Sequence, residues 1–192
     1  MRIIAGTARS RIIEAPPGKD TRPTLDRVRE NLFNMIQSRI IDSRVLDLFA
    51  GSGALSFEAI SRGASFAVLC DHDRSANRVE LSNAAKLDFT DKTRILLCDW
   101  AAALRMLQNG KERFDIVFLD PPYVMTDLRE VMTQIECLLA EDGIVVIEHE
   151  AKSRPVVSDH YDVFKERNWG YCGISIYQLS SRSEHAERRG EE

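Results

Sequence analysis

The stretch "RVLDLFAGSGALSFEAISRG", residues 44–63, joins a short apolar run to an amphipathic segment through a turn that contains glycine. The apolar run at 44–49 predicts a buried strand, and the apolar residues of 53–63 share one face of a predicted helix. Gly63 can end that helix. A strand, a tight turn and a helix in this order predict the first unit of a doubly wound α/β sheet.

Strand-like and helix-like segments continue to alternate as far as residue 150. The predicted strands after the first are 65–71, 93–99, 114–120 and 143–150, and the further predicted helices are 74–87, 100–108 and 127–139. These strands are continuous apolar runs, which indicates a parallel sheet covered by helices on both faces. Residues 161–179 instead contain two β-rich runs around the loop 168–171, which predicts an antiparallel hairpin. We therefore predict a mostly parallel, doubly wound, seven-stranded sheet that ends in this hairpin.

The N-terminal segment has a different pattern. Two short strands around 6–10 predict a small hairpin, and 24–40 predicts an amphipathic helix that Thr24 can cap. The first 44 residues contain nine Lys and Arg against five Asp and Glu, whereas the rest of the chain has 17 against 25. The expected divisions are a basic extension at 1–44, a main domain at 45–179 and a disordered tail at 180–192.

Composition excludes several other classes of protein. The chain has 192 residues, of which 44% are hydrophobic, and this fits one domain with an appendage. No apolar run reaches the length of a membrane span, and the start "MRIIAGTARS" has no apolar signal core, so we expect a cytoplasmic protein. The four cysteines and four histidines show no ligand spacing, which favours reduced thiols over a metal site.

The turn after the first strand indicates what it binds. Gly51 and Gly53 allow a tight turn and the close approach of a ligand. A dinucleotide fingerprint would need a further glycine where Ser56 stands, and no P-loop ending is present. Asp47 would repel a pyrophosphate, but it suits a ligand with a cationic end such as S-adenosylmethionine, which carries an ammonium and a sulfonium. The alternative is a structural turn that Asp47 caps.

Acids also end the next two strands. Asp71 lies about twenty residues beyond the glycine turn, where a carboxylate can accept hydrogen bonds from both ribose hydroxyls, and His72 can pack on an adenine. Asp99 can accept a hydrogen bond from the adenine amine or can cap the next helix, and Trp100 can stack nearby or belong to the core. Asp73 is interpreted as a helix N-cap. Acids at three successive strand ends favour one binding site.

The fourth strand ends in Asp120-Pro121-Pro122-Tyr123. Proline fixes φ and removes the N–H donor, so the carbonyls of this loop are held rigidly and can point at a ligand. Asp120 and the Pro121 carbonyl can both accept hydrogen bonds from an amino group, and Tyr123 offers a face for stacking. This arrangement is suited to a flat molecule with an exocyclic NH₂, such as a nucleobase that has been unstacked from RNA.

Four segments together carry a resemblance to a known family. They are "RIIAG" (2–6), "RPTLDRVRENLFN" (22–34), "LDLFAGSGALSFEAISRGA" (46–64) and "DPPY" (120–123). They resemble the bacterial 16S rRNA guanine-N2 methyltransferases, which are class I S-adenosylmethionine-dependent methyltransferases with a Rossmann-like fold. The similarity covers residues 1–179, and "RPTLDRVRENLFN" is its most specific element.

The resemblance implies roles for the matching positions. Residues that would shape the methionine side of the cofactor pocket are Asp47, Phe49, Gly51 and Gly53. Asp71 would hold the ribose, Asp99 would meet the adenine, and Asp120 through Tyr123 would hold the target guanine. Residues that would lie at the mouth of the site, contacting RNA phosphates or ordering the loop there, are Arg22, Thr24, Arg27 and Arg29. For Arg27 and Arg29 a solvated helix face is the alternative.

The implied activity is transfer of a methyl group from S-adenosylmethionine to the exocyclic N2 of a guanine. The acceptor would be 16S ribosomal RNA within the small subunit or its assembly intermediate, and transfer would proceed by direct in-line displacement without a metal. Two alternatives remain at this point. One is a methyltransferase for another amine, either adenine N6 in nucleic acid or a protein glutamine, and the other is a non-catalytic RNA-binding protein with the same fold.

Overall fold

The computed structural model describes residues 1–17, 23–122 and 124–180. Seven strands form one sheet in the order β3-β2-β1-β4-β5-β7-β6. Their bounds are β1 Arg44–Asp47, β2 Phe66–Asp71, β3 Thr93–Leu97, β4 Phe114–Leu119, β5 Leu139–Glu150, β6 Tyr161–Trp169 and β7 Cys172–Leu179. Strands β1 to β5 pair in parallel, and β7 pairs antiparallel with β5 and β6. The predicted mostly parallel sheet with a closing hairpin is confirmed.

The helices of the described residues follow the predicted order. Their bounds are α1 Pro23–Met35, α2 Ala54–Ser61, α3 Arg74–Leu87, α4 Trp100–Asn109 and α5 Arg129–Ile135. Helix α1 begins at Pro23, so Thr24 lies inside the helix instead of capping it. It ends at Met35, earlier than predicted, because Ile36 leaves the helical region at φ −111° and ψ 10°.

Two further boundaries depend on local hydrogen bonds and pairing. Helix α5 starts at Arg129 because the Asp127 carboxylate accepts the Arg129 N–H at 3.1 Å and holds the preceding turn outside the helix. Strand β5 begins at Leu139, earlier than predicted, since Leu139 pairs with Phe114 across a β-bulge. These differences do not alter the topology.

The sheet order reverses between β1 and β4, which are neighbours although they are distant in sequence. Asp47 at the end of β1 pairs with Phe118 of β4, and the Leu48 N–H donates to the Phe118 carbonyl at 3.3 Å. In open α/β sheets ligands bind at such a reversal, outside the carboxyl ends of the strands. The register therefore places the Asp47 and Asp120 positions at the same edge of the sheet.

Both faces of the sheet are buried, as the continuous apolar runs predicted. One layer contains Val45, Leu69 and Phe118 together with α1, and the other contains neighbouring strand residues with α4 and α5. Alternate residues of each strand point to opposite layers, so the interior positions of β1 and β2, at 45–46 and 67–70, are all apolar and buried. Within the described residues, no helix has the combination of length and apolar character that a membrane span requires.

The N-terminal hairpin is present, but as a single antiparallel pair between Arg2 and Ile12 instead of two strands. The Ile3 N–H donates to the Arg11 carbonyl at 3.0 Å, and the Ser10 N–H donates to the Ile3 carbonyl at 2.8 Å. Ile3 is completely buried and packs in the same layer as α1 and β1. The division of the chain at residue 44 stays a prediction.

Candidate active site

A cleft of about 170 Å³ opens at the carboxyl ends of β1 and β4. The described residues that line it are Met1, Ala15, Pro16, Asp26, Arg29, Asp47, Phe49, Ala50, Gly51, Ser52, Ala54, Leu55, Asp120 and Glu148. Five of the predicted site residues, Asp47, Phe49, Gly51, Asp120 and Arg29, thus line one cleft. The structure brings them together, and their chemical roles stay predictions.

The turn after β1 depends on glycine for two different reasons. Gly51 lines the cleft at φ 58°, a left-handed conformation that favours glycine. Gly53 precedes α2 at φ 76°, and a Cβ there would lie 2.3 Å from Cε2 of Phe57 and 2.8 Å from Cδ2 of Leu69. Gly53 therefore permits close packing of the turn on the core, and it is not among the cleft-lining residues.

Asp47 is a buried acid with one unused oxygen. Its side chain is within the core of the site, with 1% of the residue exposed. Oδ2 accepts a hydrogen bond from the Ser56 hydroxyl at 3.0 Å, while Oδ1 is buried and has no hydrogen-bond partner. Burial raises the pKa of Asp47 to about 7, and the hydrogen bond from Ser56 offsets part of that increase. A buried carboxylate oxygen without a hydrogen bond costs free energy. A ligand in the cleft that brings a cationic hydrogen-bond donor to this oxygen would therefore be favoured.

Asp71 organises the glycine turn from the next strand. One carboxylate oxygen accepts the Gly51 N–H at 2.9 Å and the other accepts the Asp73 N–H at 2.9 Å. His72 lies beside it, with Nδ1 3.6 Å from Asp71 Oδ1, and its side chain is 76% exposed. Asp71 and His72 do not line the cleft itself, although β2 ends at the same edge of the sheet. Their contacts with a ribose or an adenine stay predictions.

The helix-cap interpretations are confirmed at both positions. Asp73 caps α3 by accepting the N–H groups of Ser75 and Ala76. Asp99 caps α4 by accepting the Ala102 N–H at 2.7 Å, which is the structural alternative considered for it. An exposed capping carboxylate keeps lone pairs that can accept further hydrogen bonds, so the predicted adenine contact stays open to test.

Trp100, the first residue of α4, is half-buried and packs against the second core layer. This contact supports the core alternative for Trp100, and the residue is not among those that line the cleft. Phe49 packs against the same layer and also lines the cleft. Of the two aromatic residues, Phe49 is therefore the one that a ligand in the cleft would contact.

The segment after β4 lies between two pockets. Asp120 is exposed and lines the cleft at the ends of β1 and β4, whereas Pro121 and Pro122 line a smaller neighbouring pocket of about 20 Å³. The Pro122 carbonyl accepts the Met125 N–H at 2.8 Å, which closes a turn. Tyr123 lies outside the described residues. The loop that the two prolines are predicted to make rigid thus lies beside both pockets.

Glu148 lines both pockets, and sequence reasoning did not identify it. It lies near the end of β5, and its Oε1 accepts a hydrogen bond from the Cys172 thiol at 3.4 Å. Burial raises the pKa of Glu148. Part of the signal was present in the sequence, because "IEHE" at 147–150 puts two acids, Glu148 and Glu150, in the last three positions of the fifth predicted strand. The rule that identified acids at the earlier strand ends applies there as well.

The four N-terminal residues predicted at the RNA side have different surroundings. Arg22 and the side chain of Thr24 lie outside the described residues. Arg27 is exposed. Arg29 is only 7% exposed and lines the cleft, so a solvated helix face is wrong for this residue. The contact of Arg29 with RNA phosphates stays a prediction, and the low exposure of this side chain favours a partner inside the cleft.

The N-terminal arm, residues 1–16, forms one wall of the cleft through its two ends. Asn83 of α3 joins the arm to the glycine turn, since its Nδ2 donates to the carbonyls of Glu14 and Ser52 at 3.0 Å each. Asn83 Oδ1 also accepts the Glu14 N–H at 2.9 Å. No sequence signal pointed to this arrangement, because it depends on three segments that are remote along the chain.

Among the described residues, no group of three or more His, Cys, Asp and Glu side chains is placed to hold a metal ion.

Comparison with known proteins gives a consistent assignment. Residues 1–178 match the family described as Conserved hypothetical protein 95. The chain is 36% identical over 181 residues to the Putative rRNA methyltransferase YlbH of Bacillus subtilis (strain 168), covering 93% of this chain and 98% of the relative. It is 34% identical over 187 residues to Ribosomal RNA small subunit methyltransferase D of Escherichia coli (strain K12), covering 96% and 92%.

A solved structure shows the same architecture. The Putative methyltransferase yhhF from Escherichia coli aligns with a TM-score of 0.79 at 35% identity, covering 94% of this chain and 98% of that chain. The family resemblance that the sequence motifs carried is confirmed by these matches. The chain belongs to the Conserved hypothetical protein 95 family, a family of rRNA methyltransferases.

Proposed function

We propose that this chain transfers a methyl group from S-adenosyl-L-methionine to the exocyclic N2 of a guanine in 16S ribosomal RNA. The observation that carries the proposal is the cleft itself, where buried Asp47 and the Asp120 carboxylate line one cavity at the reversal of the sheet. The acceptor is proposed to be RNA of the small ribosomal subunit or its assembly intermediate, in the cytoplasm. S-adenosyl-L-methionine is the methyl donor.

The cleft fits such a donor. Four of its described lining residues are acids, namely Asp26, Asp47, Asp120 and Glu148. The unpaired Asp47 Oδ1 would accept a hydrogen bond from the ammonium of the methionine end. When bound, the donor supplies a methyl group made electrophilic by the attached sulfonium. Residues proposed to hold it are Asp47, Phe49, Gly51 and Gly53 at the methionine end, and Asp71, His72, Asp99 and Trp100 toward the ribose and adenine.

Asp120 through Tyr123 are proposed to hold the acceptor guanine. The lone pair of guanine N2 is delocalised into the ring, which makes this nitrogen a weak nucleophile. Hydrogen bonds from N2–H to the Asp120 carboxylate and the Pro121 carbonyl would orient the lone pair for in-line attack on the methyl carbon. The same acceptors would stabilise the positive charge that grows on nitrogen, and Asp120 can take the proton that N2 then loses.

The basic N-terminal region is proposed to contribute the electrostatic part of RNA binding. Arg27 is exposed on α1, Arg22 precedes that helix in sequence, and Thr24 is its second residue. Contacts between such cations and phosphates release counterions, so RNA affinity should fall as salt rises. Residues 1–44 are therefore proposed as the RNA-facing part and 45–179 as the methyltransferase part of the chain.

The substrate assignment is tested by mapping modified guanines. Small-subunit ribosomal RNA from cells with and without the gene is digested and analysed by mass spectrometry. We expect one N2-methylguanine to be present in the first sample and to be unmethylated in the second, and re-expression of the chain should restore it. Unchanged N2-methylation with loss of a methylated adenine would contradict the guanine assignment and leave the methyltransferase activity intact.

Donor affinity should depend on pH through Asp47. Below a pH of about 7 the Asp47 carboxyl is protonated and neutral, and above it the carboxylate can pair with the ammonium of the donor. We expect S-adenosylmethionine to bind about tenfold more tightly at pH 8 than at pH 6, measured by titration calorimetry. Without donor, the same raised pKa lowers folding stability as pH increases toward 7, because ionisation is then unfavourable in the folded chain.

The control for the pH dependence is Asp47→Asn, which keeps the shape of the side chain and removes its titration. This variant should bind the donor weakly, with a much smaller change between the two pH values. An equally steep pH dependence in the variant would assign the titration to another group, such as Glu148.

A further inference from the structure

We propose that Arg29 binds the α-carboxylate of S-adenosylmethionine, so that Arg29 and Asp47 together hold the zwitterionic amino acid end of the donor. The inference rests on the proposed function, because it concerns the same donor and the same cleft. Arg29 was expected from the sequence to contact RNA, and it is here proposed to bind the methyl donor instead.

The first argument is the hydrogen bonding of the Arg29 guanidinium. Its Nη2 donates to the Arg2 carbonyl at 2.5 Å and to Asp26 Oδ1 at 3.0 Å. Its Nη1 donates to Sδ of Met1 at 3.4 Å, and a thioether is a weak acceptor. Its Nε is buried and has no hydrogen-bond partner. The guanidinium therefore has donor capacity left over, at a place where the residue is only 7% exposed.

An unused buried N–H on a charged group is unfavourable. A buried N–H without an acceptor has lost its hydrogen bonds to water and has gained none from the protein. Burial lowers the pKa of Arg29 because the charged guanidinium loses hydration. A carboxylate is the acceptor that matches a guanidinium best, since its two oxygens can meet two N–H groups of the planar fork. A ligand carboxylate in the cleft would satisfy Nε and compensate the buried charge.

The second argument is that Asp47 lacks a hydrogen-bond donor where Arg29 lacks an acceptor. Asp47 Oδ1 lacks a donor and Arg29 Nε lacks an acceptor, and both residues line the same cleft. They do not satisfy each other, because Asp47 bonds to Ser56 while Arg29 bonds to Asp26, Arg2 and Met1. Two residues of opposite charge that line one cleft, each with a buried atom that has no hydrogen-bond partner, are complementary to a ligand bearing an ammonium and a carboxylate.

The third argument is the charge of the lining. Among the described lining residues the charged side chains are four acids and one cation, Arg29. The donor carries an ammonium, a sulfonium and a carboxylate. The acids suit its two positive groups, and Arg29 suits the negative one. An RNA phosphate is a poorer match, because this cation lies under the N-terminal arm and among acids that would repel a phosphate.

The arm holds Arg29 in this orientation. The Arg2 carbonyl and Met1 Sδ both accept hydrogen bonds from the guanidinium. The arm is in turn anchored to α2, where the buried Glu58 carboxylate accepts the N–H groups of Ile4 at 2.7 Å and Ala5 at 3.0 Å. The position of the donor carboxylate thus depends on a segment that the sequence assigned to RNA.

The test uses two ligands and titration calorimetry. One ligand is S-adenosylhomocysteine, and the other is its decarboxylated analogue, in which hydrogen replaces the α-carboxylate. We expect the unmodified chain to bind the analogue about 10- to 100-fold more weakly. Arg29→Gln should lose a similar factor for S-adenosylhomocysteine and bind the analogue about as well as the unmodified chain does.

Arg105→Gln is the matched control, because it removes an exposed arginine of α4 that does not line the cleft, and it should leave both affinities unchanged. Equal affinity of the unmodified chain for the two ligands would overturn the inference, even if Arg29→Gln failed to fold. An equal loss of affinity for both ligands in Arg29→Gln would also overturn it, since this indicates a structural role. Neither result affects the proposed function, whereas a chain that binds neither ligand would contradict both.

Discussion

Replacing Asp120 with alanine is expected to lower the rate of methyl transfer by about 10²- to 10³-fold, with donor affinity largely unchanged. The Asp120 side chain is exposed at the edge of the cleft, at the end of β4. Its proposed partner is the amine of the acceptor, and the charge that it stabilises exists only as the nitrogen becomes positive. Removing it should therefore affect the transition state much more than the bound donor.

The rate is measured under single-turnover conditions with small-subunit ribosomal RNA particles, and donor affinity is measured separately by calorimetry. Asp120→Asn is an informative second variant, because its amide oxygen still accepts a hydrogen bond but carries no charge, and it should retain part of the activity. Asp127→Ala is the control, since Asp127 is an exposed acid of the same loop that bonds to Arg129. A near-normal single-turnover rate in Asp120→Ala would remove Asp120 from the mechanism.

Replacing Gly6 with alanine is expected to lower the free energy of unfolding by about 3 to 5 kcal/mol. Gly6 has φ +82°, and a Cβ there would lie 1.8 Å from the backbone oxygen of Ser61. That oxygen already accepts the Thr7 N–H at 2.7 Å, while the Ser61 hydroxyl accepts the Ala8 N–H at 2.9 Å. The backbone of residue 6 fixes the position of the added Cβ, and the oxygen that it meets belongs to the backbone of Ser61. The clash can therefore be relieved only by moving the arm away from α2.

Gly170→Ala separates the clash from the strain of the backbone conformation. Gly170 also has a positive φ of +62°, but a Cβ there would meet nothing within 4 Å. This variant should lose only about 1 kcal/mol, the cost of a left-handed conformation for a residue with a Cβ. Both variants are compared by chemical denaturation monitored by circular dichroism.

The same two variants also report on the cleft. Because Met1, Ala15 and Pro16 line the cleft, displacement of the arm should weaken donor binding in Gly6→Ala but not in Gly170→Ala. Equal losses of stability in the two variants would show that the contact of Gly6 with Ser61 is unimportant.

Local patterns predicted the elements of the sheet well. Helix α3 has the predicted bounds of 74–87, because Asp73 caps its start and Asp88 ends it in a left-handed conformation. The acids at the ends of the strands could be located for the same reason, since parallel strands bring their carboxyl ends to one edge. Asp47 and Asp120 are 73 positions apart in the chain, yet both line the cleft.

Other features could not be predicted because they depend on burial. Arg27 and Arg29 are two residues apart on one helix, and both matched an arginine-rich motif equally well. The structure leaves Arg27 exposed and places Arg29 against Arg2, which is 27 residues away. The N-terminal arm covers Arg29 and leaves Arg27 exposed, and this contact decides which of the two arginines lines the cleft.

The sequence by itself determined the order of strands and helices, the closing hairpin, the glycine turn and the acids that follow the strands. These features arise from hydrophobic periodicity and turn chemistry, which act over a few neighbouring residues. Only the tertiary structure decided that the basic arm forms a wall of the cleft, that Glu148 joins the site and that Arg29 is buried with a free N–H. Those outcomes require contacts between remote segments, such as Glu58 with Ile4 across 54 positions, and the burial that these contacts create.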